Sequence, residues 1–178
     1  MTEKRFLSNI MVEGVVLIIL SLCLLILPRL TELSYGVMLA CVFITYGLYR
    51  IIISIINKTY GFGIIYGIFM GLFLTTLGVL LLFVPKINLL WLIELTGVYF
   101  ILESLSSSAF SYYLKNRYDY WGGKLISSII LFTVGLLIIL GVPVMSFWMV
   151  TVLSGIAMLV KGSSKFILAS VNLNNYNI

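Results

Sequence analysis

Histidine is absent from this 178-residue chain, and Asp and Glu together number 6. Without histidine, zinc-protease motifs, paired-histidine haem ligation and serine–histidine catalysis are excluded. The single aspartate, Asp119, cannot form the paired aspartates of an intramembrane aspartyl protease. Neither a Walker A loop nor a GxGxxG motif occurs. We therefore expect no enzymatic activity, no catalytic or metal-binding residues and no cofactor.

Charge and cysteine are also scarce. Charged residues make up 10% of the chain, against about 25% in an average soluble domain. Hydrophobic residues make up 62%, where about 45–50% is usual. The two cysteines, Cys23 and Cys41, lie in apolar stretches and lack CxxC spacing, so they are expected to be buried small hydrophobes. This composition predicts a protein whose main solvent is the lipid bilayer.

Six apolar runs are long enough to cross a membrane, because a spanning helix needs about 20 mostly apolar residues. They lie at Ile10–Leu27, Leu33–Ile56, Phe62–Val84, Leu89–Phe110, Leu125–Val142 and Met145–Val160. Pro28, Pro85 and Pro143 stand in the tightest connections and are expected to end helices. The sequence predicts an all-α membrane protein, a single integral membrane domain of six transmembrane helices arranged as three repeated helical hairpins.

Lysine and arginine are distributed unequally between the two sides of this arrangement. One side holds Arg29 and Lys86 alone, and the other holds Lys4, Arg5, Arg50, Lys58, Lys115, Arg117, Lys124, Lys161 and Lys165. The positive-inside rule then places both termini in the cytoplasm. The lysines and arginines behind the net charge of +5 thus serve as topology determinants rather than as a basic patch on a soluble face. We therefore expect the lipid bilayer as a partner and no nucleic acid.

The chain contains a threefold internal repeat, at about residues 10–57, 62–115 and 124–170. The three prolines are 57 and 58 residues apart. Eighteen residues after each proline stand Tyr46, Glu103 and Lys161, and twenty-two residues after stand Arg50, Ser107 and Lys165. These positions lie near the cytoplasmic boundary of a core about 30 Å thick.

The alignment therefore predicts a cytoplasmic polar cluster of Tyr46, Arg50, Glu103, Lys161 and Lys165, with Glu13 at the same boundary. Interfacial ion pairing is one interpretation of the cluster. A cytoplasmic gate or an anionic-ligand site is the other.

The third apolar run carries Gly63, Gly67 and Gly71 at a spacing of four, followed by Thr75. Such a stripe permits close approach of a neighbouring helix. We expect it to pack within the monomer or in a homo-oligomer, with a substrate-lining surface as the alternative.

Glu94 is the most deeply embedded carboxylate, and topology does not explain it. Thr75 and Thr76 precede Pro85 by about as many residues as Glu94 follows it, so the three are expected at similar depth. A carboxyl group hydrogen-bonded to these threonines is the structural interpretation. The functional one is a proton-responsive group, since intramembrane ionisable residues are often functional.

One pattern recurs along the chain: an apolar helix, a Leu-rich stretch ending in Pro, a second apolar helix and a Gly-containing close such as Tyr46-Gly47-Leu48-Tyr49-Arg50. This pattern resembles the HdeD family of acid-resistance membrane proteins. The resemblance covers about residues 10–170, although the third copy has Val144 where the others have Arg29 and Lys86. It implies a multi-pass inner-membrane protein of a prokaryote with a role in acid or general stress tolerance, and no catalytic or binding residues. A small proton-coupled transporter or channel is the alternative, and a lipid-organising or assembly protein is a third.

Overall fold

The computed structural model describes residues 2–30, 35–56, 61–83, 89–115, 119–141 and 147–175. These ranges contain six α-helices and no strand, which confirms the predicted all-α class. The helices are α1 (Thr2–Leu30), α2 (Tyr35–Ile56), α3 (Gly61–Phe83), α4 (Leu89–Leu114), α5 (Trp121–Leu140) and α6 (Phe147–Asn175).

Five of the described helices, α1, α2, α3, α5 and α6, are long and apolar enough to cross a membrane. The fourth, α4, is 26 residues long but carries Glu94, Glu103 and a serine-rich second half that lower its hydropathy. Much of the outer surface is aliphatic or aromatic, with Ile65, Phe69 and Phe83 more than half exposed. An apolar surface of this kind suits contact with lipid rather than water.

The first helix is longer than its apolar run. The sequence predicts that Pro28 ends it, whereas α1 continues to Leu30. Pro28 has no N–H to donate to the carbonyl of the preceding turn, so the helix loses one backbone hydrogen bond there and still continues for two residues. The other two prolines, Pro85 and Pro143, lie outside the described residues.

The most extensive packing joins α2 to α3, α4 to α5, and α1 to α6. The helices of each predicted hairpin, such as α1 and α2, touch much less. The helix pairs that pack most extensively therefore differ from the hairpins that repeat in the sequence. Pairing of α1 with α6 closes the six helices into one bundle.

Glycine explains this choice of partners. In each of the three packed pairs two glycines face one another, and a Cβ built on either would lie 2.8 to 3.0 Å from the carbonyl oxygen of the other. These pairs are Gly47 with Gly71, Gly97 with Gly135, and Gly14 with Gly162. Close backbone approach permits dispersion and Cα–H···O contacts, which drive helix association in lipid.

The core between the helix pairs is aromatic near its centre. Tyr99 is buried and stacks on Phe73 with ring centroids 6.3 Å apart, and it contacts Phe43 at 6.2 Å and Phe100 at 5.4 Å. One turn beyond Tyr99 along α4, apolar packing gives way to Glu103. The polar site described next therefore rests directly on this core.

Candidate functional site

Three residues that occupy the same position in the three repeats meet inside the bundle. Lys161 on α6 donates from Nζ to Glu103 Oε1 on α4 at 2.5 Å and to the Tyr46 hydroxyl on α2 at 3.1 Å. Tyr46, Glu103 and Lys161 are 0%, 3% and 3% exposed. Lys161 thus contacts both of the residues that occupy its position in the other two repeats.

Glu103 holds a second cation through its other oxygen. Arg50 Nη1 donates to Glu103 Oε2 at 2.5 Å. The Arg50 guanidinium also lies over the Tyr66 ring, 5.5 Å from its centroid. Both carboxylate oxygens of Glu103 are therefore engaged by cations from different helices, α2 and α6.

Glu13 on α1 forms the second carboxylate centre. It makes an ion pair with Lys165 on α6 and accepts a hydrogen bond from the Tyr46 hydroxyl at 3.1 Å. Tyr46 thereby links the two centres, because its hydroxyl accepts from Lys161 and donates to Glu13. We call Glu13, Tyr46, Arg50, Glu103, Lys161 and Lys165 the charged cluster.

The charged cluster is one continuous chain of contacts, running from Arg50 through Glu103, Lys161, Tyr46 and Glu13 to Lys165. It ties together four of the six helices. Buried charges are tolerated when they are paired and hydrogen-bonded, and removing one partner costs about 3–5 kcal/mol. The arrangement is chemically able to hold charge inside a bilayer and to respond when one member gains or loses a proton.

Lys124 is a buried cation that the sequence prediction treats as a topology determinant alone. It is 2% exposed, and its Nζ lies 5.8 Å from the centroid of the Phe110 ring. Within the described ranges it is more deeply buried than Arg50 or Lys165. The repeat contains a signal for a polar residue at this position. Lys124 lies nineteen residues before Pro143, and the residues nineteen before the two earlier prolines, Asn9 and Tyr66, also carry polar atoms.

Glu94 does not share the surroundings of the charged cluster. It is exposed on the surface of α4. Thr75 donates to the carbonyl of Gly71, and Thr76 donates to those of Leu72 and Phe73. In the described part of the chain neither threonine is hydrogen-bonded to Glu94. Each hydroxyl donates instead to the backbone of its own helix. The role of Glu94 as a proton-responsive group stays a prediction.

Two glycines of the predicted stripe face α2. A Cβ on Gly67 would collide with the Ser54 side chain, and one on Gly71 would lie 2.7 Å from Ile51 Cγ1. The side-chain surroundings of Gly63 lie outside the described residues. The stripe continues beyond its predicted end, because a Cβ on Gly78 would lie 2.8 Å from the Ala40 carbonyl oxygen of α2.

The described residues contain no group of three His, Cys, Asp or Glu side chains placed to hold a metal ion. Cys23 is partly exposed and Cys41 is exposed on the helix surface, so the expectation that both are buried is wrong. Cys41, and Cys23 in part, therefore contribute to the surface of the bundle that lipid would contact.

No curated protein and no solved structure matches the chain. A sequence family described as a short repeat of unknown function, DUF308, matches residues 12–83 and again residues 69–140. The two matches start 57 residues apart (69 minus 12), which is the spacing of Pro28 and Pro85 and confirms an internal repeat, while most of the predicted third copy lies beyond the matched residues. Together they span more than half of the sequence, and the chain therefore belongs to the DUF308 family.

Proposed function

We propose that this protein is a non-enzymatic, HdeD-like integral membrane protein of the prokaryotic inner membrane that contributes to tolerance of acid or general stress. The observation that carries the proposal is the charged cluster, which joins four helices inside an otherwise apolar bundle. Ionisable groups within membrane segments are costly and usually serve a function. In this proposal the cluster is the part of the molecule that responds to changed conditions.

A proton-dependent role suits this arrangement because its two carboxylates hold different helices together. Glu103 joins α4 to α2 and α6, and Glu13 joins α1 to α6 and α2. Protonation of either carboxylate would leave buried cations without a counter-charge, which is unfavourable in low dielectric. Severe acidification would therefore favour a different packing of the same helices.

The test is survival of an acid challenge by a strain lacking the gene, complemented with wild type, Glu103→Gln or Lys161→Met. We expect wild type to restore survival and both variants to restore it less, at equal protein levels in the membrane. Lys115→Gln is the matched control, because Lys115 is exposed outside the cluster. Full complementation by Glu103→Gln, or equal survival with and without the gene, would contradict the proposal.

A small proton-coupled transporter or channel is the second candidate, and the continuity of the charged cluster favours it. Chains of ionisable side chains inside helical bundles mark ion and proton pathways in membrane proteins. Purified protein reconstituted into vesicles with an internal pH dye tests this candidate. Transport predicts a proton flux above that of empty vesicles that is lost in Glu103→Gln, whereas equal fluxes would eliminate it.

A further inference from the structure

The N-terminus of α5 lies beside the charged cluster and has the features of an anion site. Tyr120 precedes the helix in a left-handed conformation with φ 65°, and no side chain caps the helix there. The first turn of a helix has four backbone N–H groups without intrahelical partners, and it carries a partial positive charge. Gly122 in this turn has open space where a Cβ would stand.

Lys124 supplies a cation in the same turn. Side chains on a helix lean toward its N-terminus, so Lys124 leans toward the uncapped N–H groups. Although it is 2% exposed, Lys124 is within 4 Å of no carboxylate oxygen and donates no hydrogen bond in the described part of the chain. Asp119, which precedes Tyr120, is exposed, and its backbone is held by Asn172.

The charges around Lys124 do not compensate it. Both carboxylates already hold other cations, Glu103 two of them and Glu13 one. With Lys124 included, the described residues of this region carry four cations, Arg50, Lys124, Lys161 and Lys165, against two carboxylates.

A further donor without a partner stands on the facing helix. Ser107 on α4 is 6% exposed, and its hydroxyl makes no hydrogen bond in the described structure. It lies three residues before Phe110, whose ring is next to the Lys124 ammonium. The repeat supports this proximity, because Arg50, the equivalent of Ser107, lies over the ring of Tyr66, the equivalent of Lys124.

We infer that Lys124, the first-turn N–H groups of α5 and the Ser107 hydroxyl bind a small phosphate-type oxyanion from the cytoplasmic side. Phosphate oxygens accept from helix N-termini, ammonium groups and hydroxyls together. The oxyanion comes either from solution or from the headgroup of an anionic lipid. This assignment rests on the proposed role of the charged cluster as the functional centre, to which it adds a ligand.

The experiment uses the purified full-length protein in neutral detergent, with inorganic phosphate as the probe and chloride at matched ionic strength as the reference. Phosphate at ten times its Kd raises the ratio of folded to unfolded protein about elevenfold, so the thermal midpoint of wild type rises. Lys124→Met should abolish that rise. In the absence of phosphate Lys124→Met should be at least as stable as wild type, because it removes an uncompensated buried charge.

Lys58→Gln is the control, since it removes a lysine that the positive-inside rule assigns to the same side, after α2 in the chain, and it should keep the full response. Ser107→Ala should reduce the response, which provides a second variant if Lys124→Met does not fold. A Lys124-dependent rise seen only in nanodiscs with phosphatidylglycerol, and not in phosphatidylcholine, would assign the oxyanion to a lipid headgroup.

The inference is overturned if neither phosphate nor phosphatidylglycerol stabilises wild type, or if Lys58→Gln loses the response as fully as Lys124→Met. Failure of this binding test leaves the survival assay of the proposed function unaffected. Failure of the survival assay with intact phosphate binding would instead remove the stress role and keep the site.

Discussion

Lys161 and Glu103 lie 58 residues apart in the chain and occupy the same position in successive repeats, yet their Nζ and Oε1 atoms are 2.5 Å apart. Tyr46, the equivalent residue of the first repeat, contacts Lys161 as well. Three copies of one sequence position thus converge inside the bundle. Three identical charges there would repel each other, whereas an anion, a cation and a hydroxyl attract. Divergence of the repeats is what makes this buried site stable.

Glu103→Gln is predicted to destabilise the protein by about 3–5 kcal/mol, because it leaves Arg50 and Lys161 buried without their counter-charge. The measurement is the free energy of unfolding in a detergent denaturation series. Glu94→Gln, on the exposed face of the same helix, should change it by less than about 0.5 kcal/mol.

The triple variant Arg50→Met, Glu103→Leu and Lys161→Met should recover most of that loss. Apolar side chains of similar volume often replace a buried ionic group without a net cost. A Glu103→Gln protein as stable as wild type would show that the two ion pairs contribute little.

Gly71→Ala and Gly122→Ala are predicted to change stability in opposite directions. A Cβ at position 71 would lie 2.7 Å from Ile51 Cγ1 and 2.9 Å from the Gly47 carbonyl oxygen, so α2 and α3 must separate, at a cost of about 1–3 kcal/mol. At position 122 a Cβ meets nothing, and alanine gains up to about 1 kcal/mol of helix propensity. Thermal midpoints of the two variants test this, and equal midpoints would contradict glycine-mediated packing.

The number of helices and the membership of the charged cluster are predictable from the sequence. Long apolar runs mark helices, and a repeat places equivalent residues at equal depth, so Tyr46, Glu103 and Lys161 are expected at one level. Helix pairing is not predictable in the same way, because chain connectivity says which helices are consecutive and not which faces meet. The glycines that decide pairing are distributed over both helices of each pair, as in Gly14 and Gly162.

Two residues show that the depth of a position in the membrane does not by itself predict the surroundings of its side chain. Counting from Pro85 places Thr75 level with Glu94, but rotation about the helix axis directs Thr75 toward α2, where its hydroxyl lies against Gly47. Lys124 stands at the start of an apolar run, where a lysine ordinarily marks the membrane surface, and its burial depends on the helices packed around it. Its uncharged equivalents in the other repeats indicate a polar position there but not a buried cation.

Asn172→Leu is predicted to loosen the connection before α5. The Asn172 side chain accepts from the Asp119 N–H at 3.0 Å and donates to the Asp119 carbonyl at 3.0 Å, which fixes this connection to α6. Leucine can make neither bond, so the Asp119 amide should exchange with solvent about tenfold faster or more, which corresponds to about 1.4 kcal/mol or more. Hydrogen exchange measures the rate, and the exposed Asn174→Leu serves as the control. Unchanged exchange at Asp119 would mean that other contacts hold the connection.

Cysteines introduced at positions 88 and 115 are predicted to react from opposite sides of the membrane. The two positions flank α4, which carries two carboxylates and is the one described helix outside the five that are long and apolar enough to span a membrane. The positive-inside rule assigns Lys115 to the cytoplasm, so Asn88→Cys should react with an impermeant maleimide in intact spheroplasts and Lys115→Cys only in inverted vesicles. The background carries Cys23→Ala and Cys41→Ala. Labelling of both positions from one side would show that α4 does not cross.

Glu94→Gln is predicted to lower survival of an acid challenge if this carboxylate responds to protons. It is exposed on α4 and lies five residues from the start of that helix, away from the charged cluster. An ionisable group in a membrane segment is less costly when neutral than when charged, so protonation favours its burial. Glutamine mimics the protonated form permanently and abolishes the change between the two states. Lys115→Gln controls for the loss of a charge elsewhere. Survival of Glu94→Gln equal to wild type, at equal protein level, would leave Glu94 without a proton-dependent role.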